Sequence, residues 1–149
     1  MPVWKRICCA VDFSEHSRMT LEAAAALAEP LGADLFLFHV FEPPAQADLE
    51  PIVPPEELYG DYVREAQRQL ETWRVDAERL AMRSVKAKLV EVHEWHPAIE
   101  IVRFARDQAC DVIFVGKHGR SGVRHPGLGA VAERVIRESD RPVVVVRRP

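Results

Sequence analysis

The chain has 149 residues, enough for one domain with a sizeable core and short for two. Hydrophobic residues make up 48% and charged residues 29%, a balance that excludes an intrinsically disordered chain. A formal charge of −3 provides no basic footprint for nucleic acid, and no apolar stretch is long enough to span a bilayer.

The first apolar run, residues 6–11, is almost continuous, as in a strand buried on both faces, and Asp12 ends it. The apolar run at the N-terminus is too brief for a signal-peptide core, so the expected location is cytoplasmic. Ser14 is placed to cap a helix over about 17–31, with Met19, Leu21, Ala24, Leu27 and Ala28 at helical spacing and Gly32 as its terminator. Residues 35–41 read as a second strand, stopped by Pro43 and Pro44, and the proline-rich stretch from there to Pro55 reads as a loop. A long amphipathic helix is predicted over 56–83, its stripe carrying Leu58, Tyr62, Leu70, Trp73, Ala77 and Leu80. Residues 85–92 alternate as a third strand. Pro97 suits the first turn of a helix over 98–109 with inner face Ile99, Ile101, Val102, Phe104 and Ala105. DVIFV, 111–115, is a fourth strand; after the segment 116–129 come a helix over 130–138 and a last strand, PVVVV, over 142–146.

Strands alternating with helices predict one α/β domain over 1–149, an open doubly wound parallel sheet of five strands with helices on both faces. In such a sheet ligands sit beyond the carboxyl ends of strands, where the winding direction reverses. Asp12, Val40 and Gly116 end strands of this kind.

The segment VGKHGRSGVRHPGLGAVAERV holds five of the seven glycines, at 116, 119, 122, 127 and 129. Glycine leaves backbone N–H groups unshielded, and a helix starting near Gly129 adds unpaired donors and a positive dipole end. Lys117, Arg120 and Arg124 add charge, so the segment suits a phosphate; a surface loop that needs only flexibility is the competing reading. The P-loop pattern GxxxxGK[ST] is absent. The pattern GxGxx[GA] occurs from Gly127 to Ala132 but follows no strand directly, and the acidic residue expected about twenty positions on would fall beyond Pro149, so NAD is not expected.

At this loop the sequence resembles the universal stress protein family, and the resemblance runs over essentially the whole chain. ICCAVDFSEHS is similar to that family's first strand and turn, FLFHV to its second strand, and DVIFVGKHGRSG with AVAERVIRESDRPVVVVR to its C-terminal half. Gly116, Gly119 and Gly129 fit the G-x2-G-x9-G spacing of its ATP-binding members. The resemblance implies strand order 3-2-1-4-5 and an ATP, ADP or AMP ligand. Ala10, Val11 and Asp12 would lie near ribose or base, the Val40 backbone would meet the adenine edge, and Val115 would line the base pocket. Gly116, Gly119, Gly129, Ala130 and Val131 would cradle the phosphates through backbone amides, with His118 and Arg120 beside them. It also implies a homodimer through Val143–Val146 and, in some members, Mg or Mn accompanying the phosphates. Two departures bear on affinity. Position 130 is Ala where the family carries Ser or Thr, and one lost hydrogen bond to a charged group weakens binding by about one to two powers of ten. The run Arg124-His125-Pro126-Gly127 is more polar and stiffer than the apolar stretch usual there. Weaker triphosphate binding, with preference shifted toward AMP or ADP, is the expectation.

Asp12 fits three roles: a ribose anchor, a helix cap, or, with least support, a catalytic acid. No carboxylate pair or Ser-His-Asp arrangement is legible, so dedicated catalysis is not expected. His93, Glu94 and His96 match no metal-ligand spacing and read as a solvated loop; no residue is assigned as a metal ligand. His118 and His125 face either phosphate or water, and His39 reads as a satisfied core histidine. Cys8 and Cys9 are strand neighbours pointing to opposite faces, which disfavours a bridge between them; all three cysteines read as small buried hydrophobes. The function expected is a nucleotide-binding regulatory role in a stress response. An interaction module that no longer uses nucleotide, or a slow ATPase, are the alternatives.

Overall fold

Arg6–Ala10 forms β1, the middle strand of the sheet, and its alternating side chains divide the core in two. The computed structural model describes residues 3–42, 55–92, 96–119 and 127–147. Ile7 and Cys9 point to one face and Cys8 to the other, and all three are fully buried, which is why the run is continuously apolar. The elements then alternate as α1 (Glu15–Leu31), β2 (Asp34–Phe41), α2 (Pro55–Ala81), β3 (Val85–Glu91), α3 (Pro97–Asp107), β4 (Val112–Gly116), α4 (Ala130–Glu138) and β5 (Val143–Val146). The five strands pair in parallel in the order β3-β2-β1-β4-β5, as expected.

One face carries Leu35, Leu37, Val112 and Phe114 under α1 and α2; the other carries Phe36, Phe38, Ile113 and Val115 under α3 and α4. Each such large side chain contributes about 1.5–3 kcal/mol through burial. On the second face the Phe104 and Phe38 rings stack at 4.2 Å.

Element limits differ from the sequence expectation where a backbone donor or acceptor finds a better partner. α1 starts two residues early because Ser14 Oγ accepts from Ser17 N–H, making Glu15 its first residue; Gly32 ends it in the left-handed region at φ 61°. α3 stops at Asp107, since Ala109 is left-handed at φ 52° and Cys110 N–H returns to Ala105 O. β4 begins at Val112, because the preceding Asp111 carboxylate accepts from the N–H groups of Lys5 and Arg6. The expected stripe on α2 is corrected: Tyr62 and Leu80 are 42% and 43% exposed, and the seam runs through Ala66, Leu70, Trp73, Ala77 and Ala81. Alanines there let the helix approach the sheet closely. Leu27 of α1 likewise faces out, 39% exposed.

Candidate functional site

β1 and β4 are neighbours, but the chain leaves β1 toward β2 and leaves β4 toward β5, so the winding reverses between them. A cavity of about 500 Å³ opens at that reversal. It is bordered by Ala10 at the end of β1 with Val11 and Asp12 just past it, by Val40 from β2, and by Val115, Gly116, His118 and Gly119 from β4 and beyond; Gly129, Ala130 and Val131 enter from the start of α4. Eleven of the twelve residues expected at the site therefore surround one space. The twelfth, Arg120, lies outside the described residues, as do His93, Glu94, Gly122, Arg124 and His125.

Asp12 is held by its own turn. Its Oδ1 accepts from Ser17 Oγ–H at 2.5 Å and from Ser14 N–H at 3.0 Å, while its N–H donates to Ser17 Oγ at 2.8 Å. The turn requires Phe13 to take φ 66°, an unfavourable region for an aromatic residue. Packing offsets the strain: the Phe13 ring meets His39 at 4.3 Å and Trp73 edge-on at 5.3 Å. His39 is buried, as expected, with Nδ1 2.7 Å from Val11 O.

Val40 presents its backbone to the cavity side. Phe38 O accepts from Val11 N–H on the β1 side, and Phe41 O accepts from Val92 N–H on the β3 side. Because successive residues of a strand direct their backbone groups to alternate sides, Val40 directs both N–H and C=O toward β1. The β1–β2 ladder ends at Ala10↔Phe38, so these groups lie past its end.

Each of the three glycines of the G-x2-G-x9-G spacing stands where a β-carbon would crowd a neighbour. A β-carbon on Gly116 would meet His118 O at 3.1 Å and Thr20 Oγ1 at 3.2 Å, so its absence lets the chain pass close to α1. On Gly129 it would come 2.9 Å from Lys117 O, and the Gly129 N–H already donates to that oxygen at 2.8 Å. The Gly129 amide, expected at a phosphate, is engaged with the Lys117 carbonyl in this structure. Gly129 caps α4, and the first capping-type bond there is Glu133 N–H to Gly129 O, which leaves the N–H groups of Ala130, Val131 and Ala132 ahead of the intrahelical ladder. A β-carbon on Gly119 would come within 2.6 Å of Asp12 Oδ2.

His118 borders the cavity and packs edge-on against His16 of α1 at 5.7 Å between centroids. His16 Nδ1 is buried with no hydrogen-bond partner among the described residues. The Nδ1 of His96 accepts from Ala98 N–H and caps α3. Among the described residues no group of three His, Cys, Asp or Glu could hold a metal ion. Sequence reasoning missed Ser17, Pro97 and Ile101 as lining. Ser17 lies one helical turn beyond the Ser14 cap and was within reach; Ile101 carries no signal beyond its apolar character.

A family model, the universal stress protein family, matches residues 4–147. The chain belongs to the universal stress protein family. It is 27% identical to universal stress protein MJ0577 of Methanocaldococcus jannaschii over 98% of this chain and 96% of that one. The solved structure of MJ0577 superposes with a TM-score of 0.81 over 99% of both chains, at 29% identity. A universal stress protein of Archaeoglobus fulgidus, solved in complex with dAMP, has the same fold at 22% identity, TM-score 0.68, over 97% of this chain and 98% of that one. A universal stress protein solved in complex with cAMP shares it at 18% identity, TM-score 0.69, over 99% and 100%.

Proposed function

We propose that this universal stress protein binds an adenine nucleotide in the β1/β4 crevice and acts through ligand-linked changes in partner or conformation rather than through turnover, in a stress response. The observation that carries this reading is the donor–acceptor pair of the Val40 backbone at one side of a cavity whose other end is the start of α4. Adenine offers an acceptor at N1 and a donor at its 6-amino group, the complement of a backbone N–H and C=O side by side; guanine offers the reverse. Ala10, Val115 and Ile101 supply apolar walls for a base, and Asp12 stands where a ribose would follow. The α4 N–H groups and the positive end of its dipole favour phosphate. The nucleotide complexes of the two relatives of like fold support the same ligand class.

Ala130 contributes no hydroxyl and the Gly129 amide is committed to Lys117 O, so the grip on a terminal phosphate is loose and AMP or ADP is favoured over ATP. Mg or Mn would accompany only phosphates. The second partner is another copy of this chain, added along β5, which pairs with β4 on one side only. Mass spectrometry of ligand released from denatured, freshly purified protein tests the reading, followed by calorimetry with AMP, ADP, ATP and GMP. Adenine nucleotide at micromolar affinity, with GMP at least about tenfold weaker, is expected. Millimolar dissociation constants for every adenine nucleotide overturn it.

A further inference from the structure

Phe13 follows the Asp12 carboxylate directly and is held at φ 66°, a left-handed conformation that an aromatic residue adopts only when its surroundings impose it. Two sets of contacts impose it here. On the polar side, Asp12 Oδ1 accepts from Ser14 N–H at 3.0 Å and from the Ser17 hydroxyl at 2.5 Å, which closes the turn around Phe13. On the apolar side, the Phe13 ring packs on His39 at 4.3 Å and meets Trp73 of α2 edge-on at 5.3 Å.

These contacts run from the crevice to the outer side of α2. Asp12, Ser17 and His39 border the cavity, whereas Phe13 and Trp73 do not. Trp73 is half-buried, and the Arg18 guanidinium lies over its ring, 5.5 Å from the centroid. Arg18 follows Ser17 in the first turn of α1 and is paired with Asp76 of α2 at 3.0 Å and with Glu22 at 3.6 Å. Trp73 is therefore held twice from the Asp12 turn. One route is the Phe13 ring; the other is the Ser17-Arg18 step of α1, which the Asp12 carboxylate fixes through the Ser17 hydroxyl.

A strained turn of this kind has two arrangements open to it. With its supports intact Phe13 stays left-handed. When a support loosens, relief lies in rotation to the ordinary region, which withdraws the ring from Trp73 and re-aims the carboxylate whose Oδ2 faces Gly119. A ligand hydroxyl bound to Asp12 favours the intact turn, and by linkage whatever holds Trp73 against Phe13 favours the ligand. Building on the nucleotide reading of the crevice, we infer that the Asp12–Phe13 turn couples occupancy of the crevice to Trp73, tightening its hold on that ring when a nucleotide binds. Occupancy is thereby transmitted to the α1–α2 face where Trp73, Arg18 and Asp76 meet.

The test uses full-length protein carrying Trp4→Phe and Trp95→Phe, so that Trp73 is the one tryptophan left, with urea unfolding to verify the fold. AMP is titrated while Trp73 emission is recorded, and calorimetry supplies the dissociation constant independently. An emission change that saturates with the calorimetric constant is expected, although Trp73 lies outside the cavity. Phe13→Gly keeps the left-handed backbone without a ring, so at saturating AMP the Trp73 change should be lost. With the other tryptophans restored, Trp73→Leu should weaken AMP by at least about fivefold, the lower end of coupling between distinct sites. A residue that only stabilises the fold would leave the affinity of the folded protein unaltered.

AMP bound by calorimetry with Trp73 emission unmoved overturns the coupling and leaves the nucleotide reading standing. So does a Trp73 response that survives Phe13→Gly, or a wild-type dissociation constant in Trp73→Leu. No binding of any adenine nucleotide overturns both.

Discussion

Asp12 Oδ2 and Gly119 face each other across the mouth of the crevice so closely that a β-carbon at 119 would stand 2.6 Å from the carboxylate oxygen. The carboxylate cannot swing aside, because its other oxygen is fixed by Ser14 and Ser17. Gly119→Ala must therefore displace the loop rather than the aspartate. An affinity loss of at least about tenfold for AMP is expected, with the far-ultraviolet circular dichroism unchanged. Calorimetry giving the wild-type dissociation constant would remove the loop from the binding site.

Asp12 has a local role in its turn and a proposed role toward ribose, and two substitutions separate them. Asp12→Asn retains an acceptor for Ser14 N–H and Ser17 Oγ–H, so its stability should stay within about 1 kcal/mol of the wild type. Asp12→Ala orphans both donors and should cost about 1–2 kcal/mol in urea unfolding. Both should weaken AMP by about tenfold or more. Full affinity in Asp12→Asn would leave the residue as a cap for its own turn and nothing more.

Ala130 borders the cavity at the first position of α4 and is exposed, so a hydroxyl there has room. Ala130→Ser should tighten ATP by about one power of ten, the effect of one hydrogen bond to a charged oxygen, while AMP changes less. Equal gains for AMP and ATP in parallel titrations would place the terminal phosphates elsewhere.

The expected dimer rests on the outer edge of β5. Pro142 O and Val146 O accept from Ile113 and Lys117 of the β4 side, so Val143 and Val145 direct their backbone groups outward. Val145→Pro deletes an outward donor and spares the β4 ladder. Sedimentation should show a dimer for the wild type and a monomer for the variant. A wild-type monomer, or a variant dimer, would exclude this edge.

Tyr59 near the start of α2 packs edge-on against Phe41, a cavity-lining residue, and its hydroxyl donates to Glu91 at the end of β3. That bond pushes the Tyr59 pKa up to about 12. A raised folded value means the bond's contribution is whole below the unfolded value of about 10 and is lost as pH climbs through about 12. In a Tyr62→Phe background, absorbance at alkaline pH should follow this late titration, and Glu91→Gln should return it toward about 10. An identical curve in the two proteins would mean the bond does not form in solution.

The order of elements was readable because hydrophobic period is local. After Arg6 the run ICCA is apolar throughout since both faces of the middle strand are covered, and Ser14, Gly32 and Pro97 mark helix ends by their own backbone chemistry. The candidate site was readable as a neighbourhood for the same reason: in a doubly wound sheet the carboxyl ends of β1, β2 and β4 must converge. What each group does there depends on partners distant in sequence. The Gly129 N–H is spent on Lys117 because the loop closes on itself, and Val40 faces the crevice because β1 stops two residues sooner than β2 needs. Lys5 and Asp111, about a hundred residues apart, meet only because the Asp111 carboxylate ties the turn before β4 to the start of β1. A periodic pattern says which side of an element is buried, and only the tertiary fold decides which donors and acceptors are left facing one another.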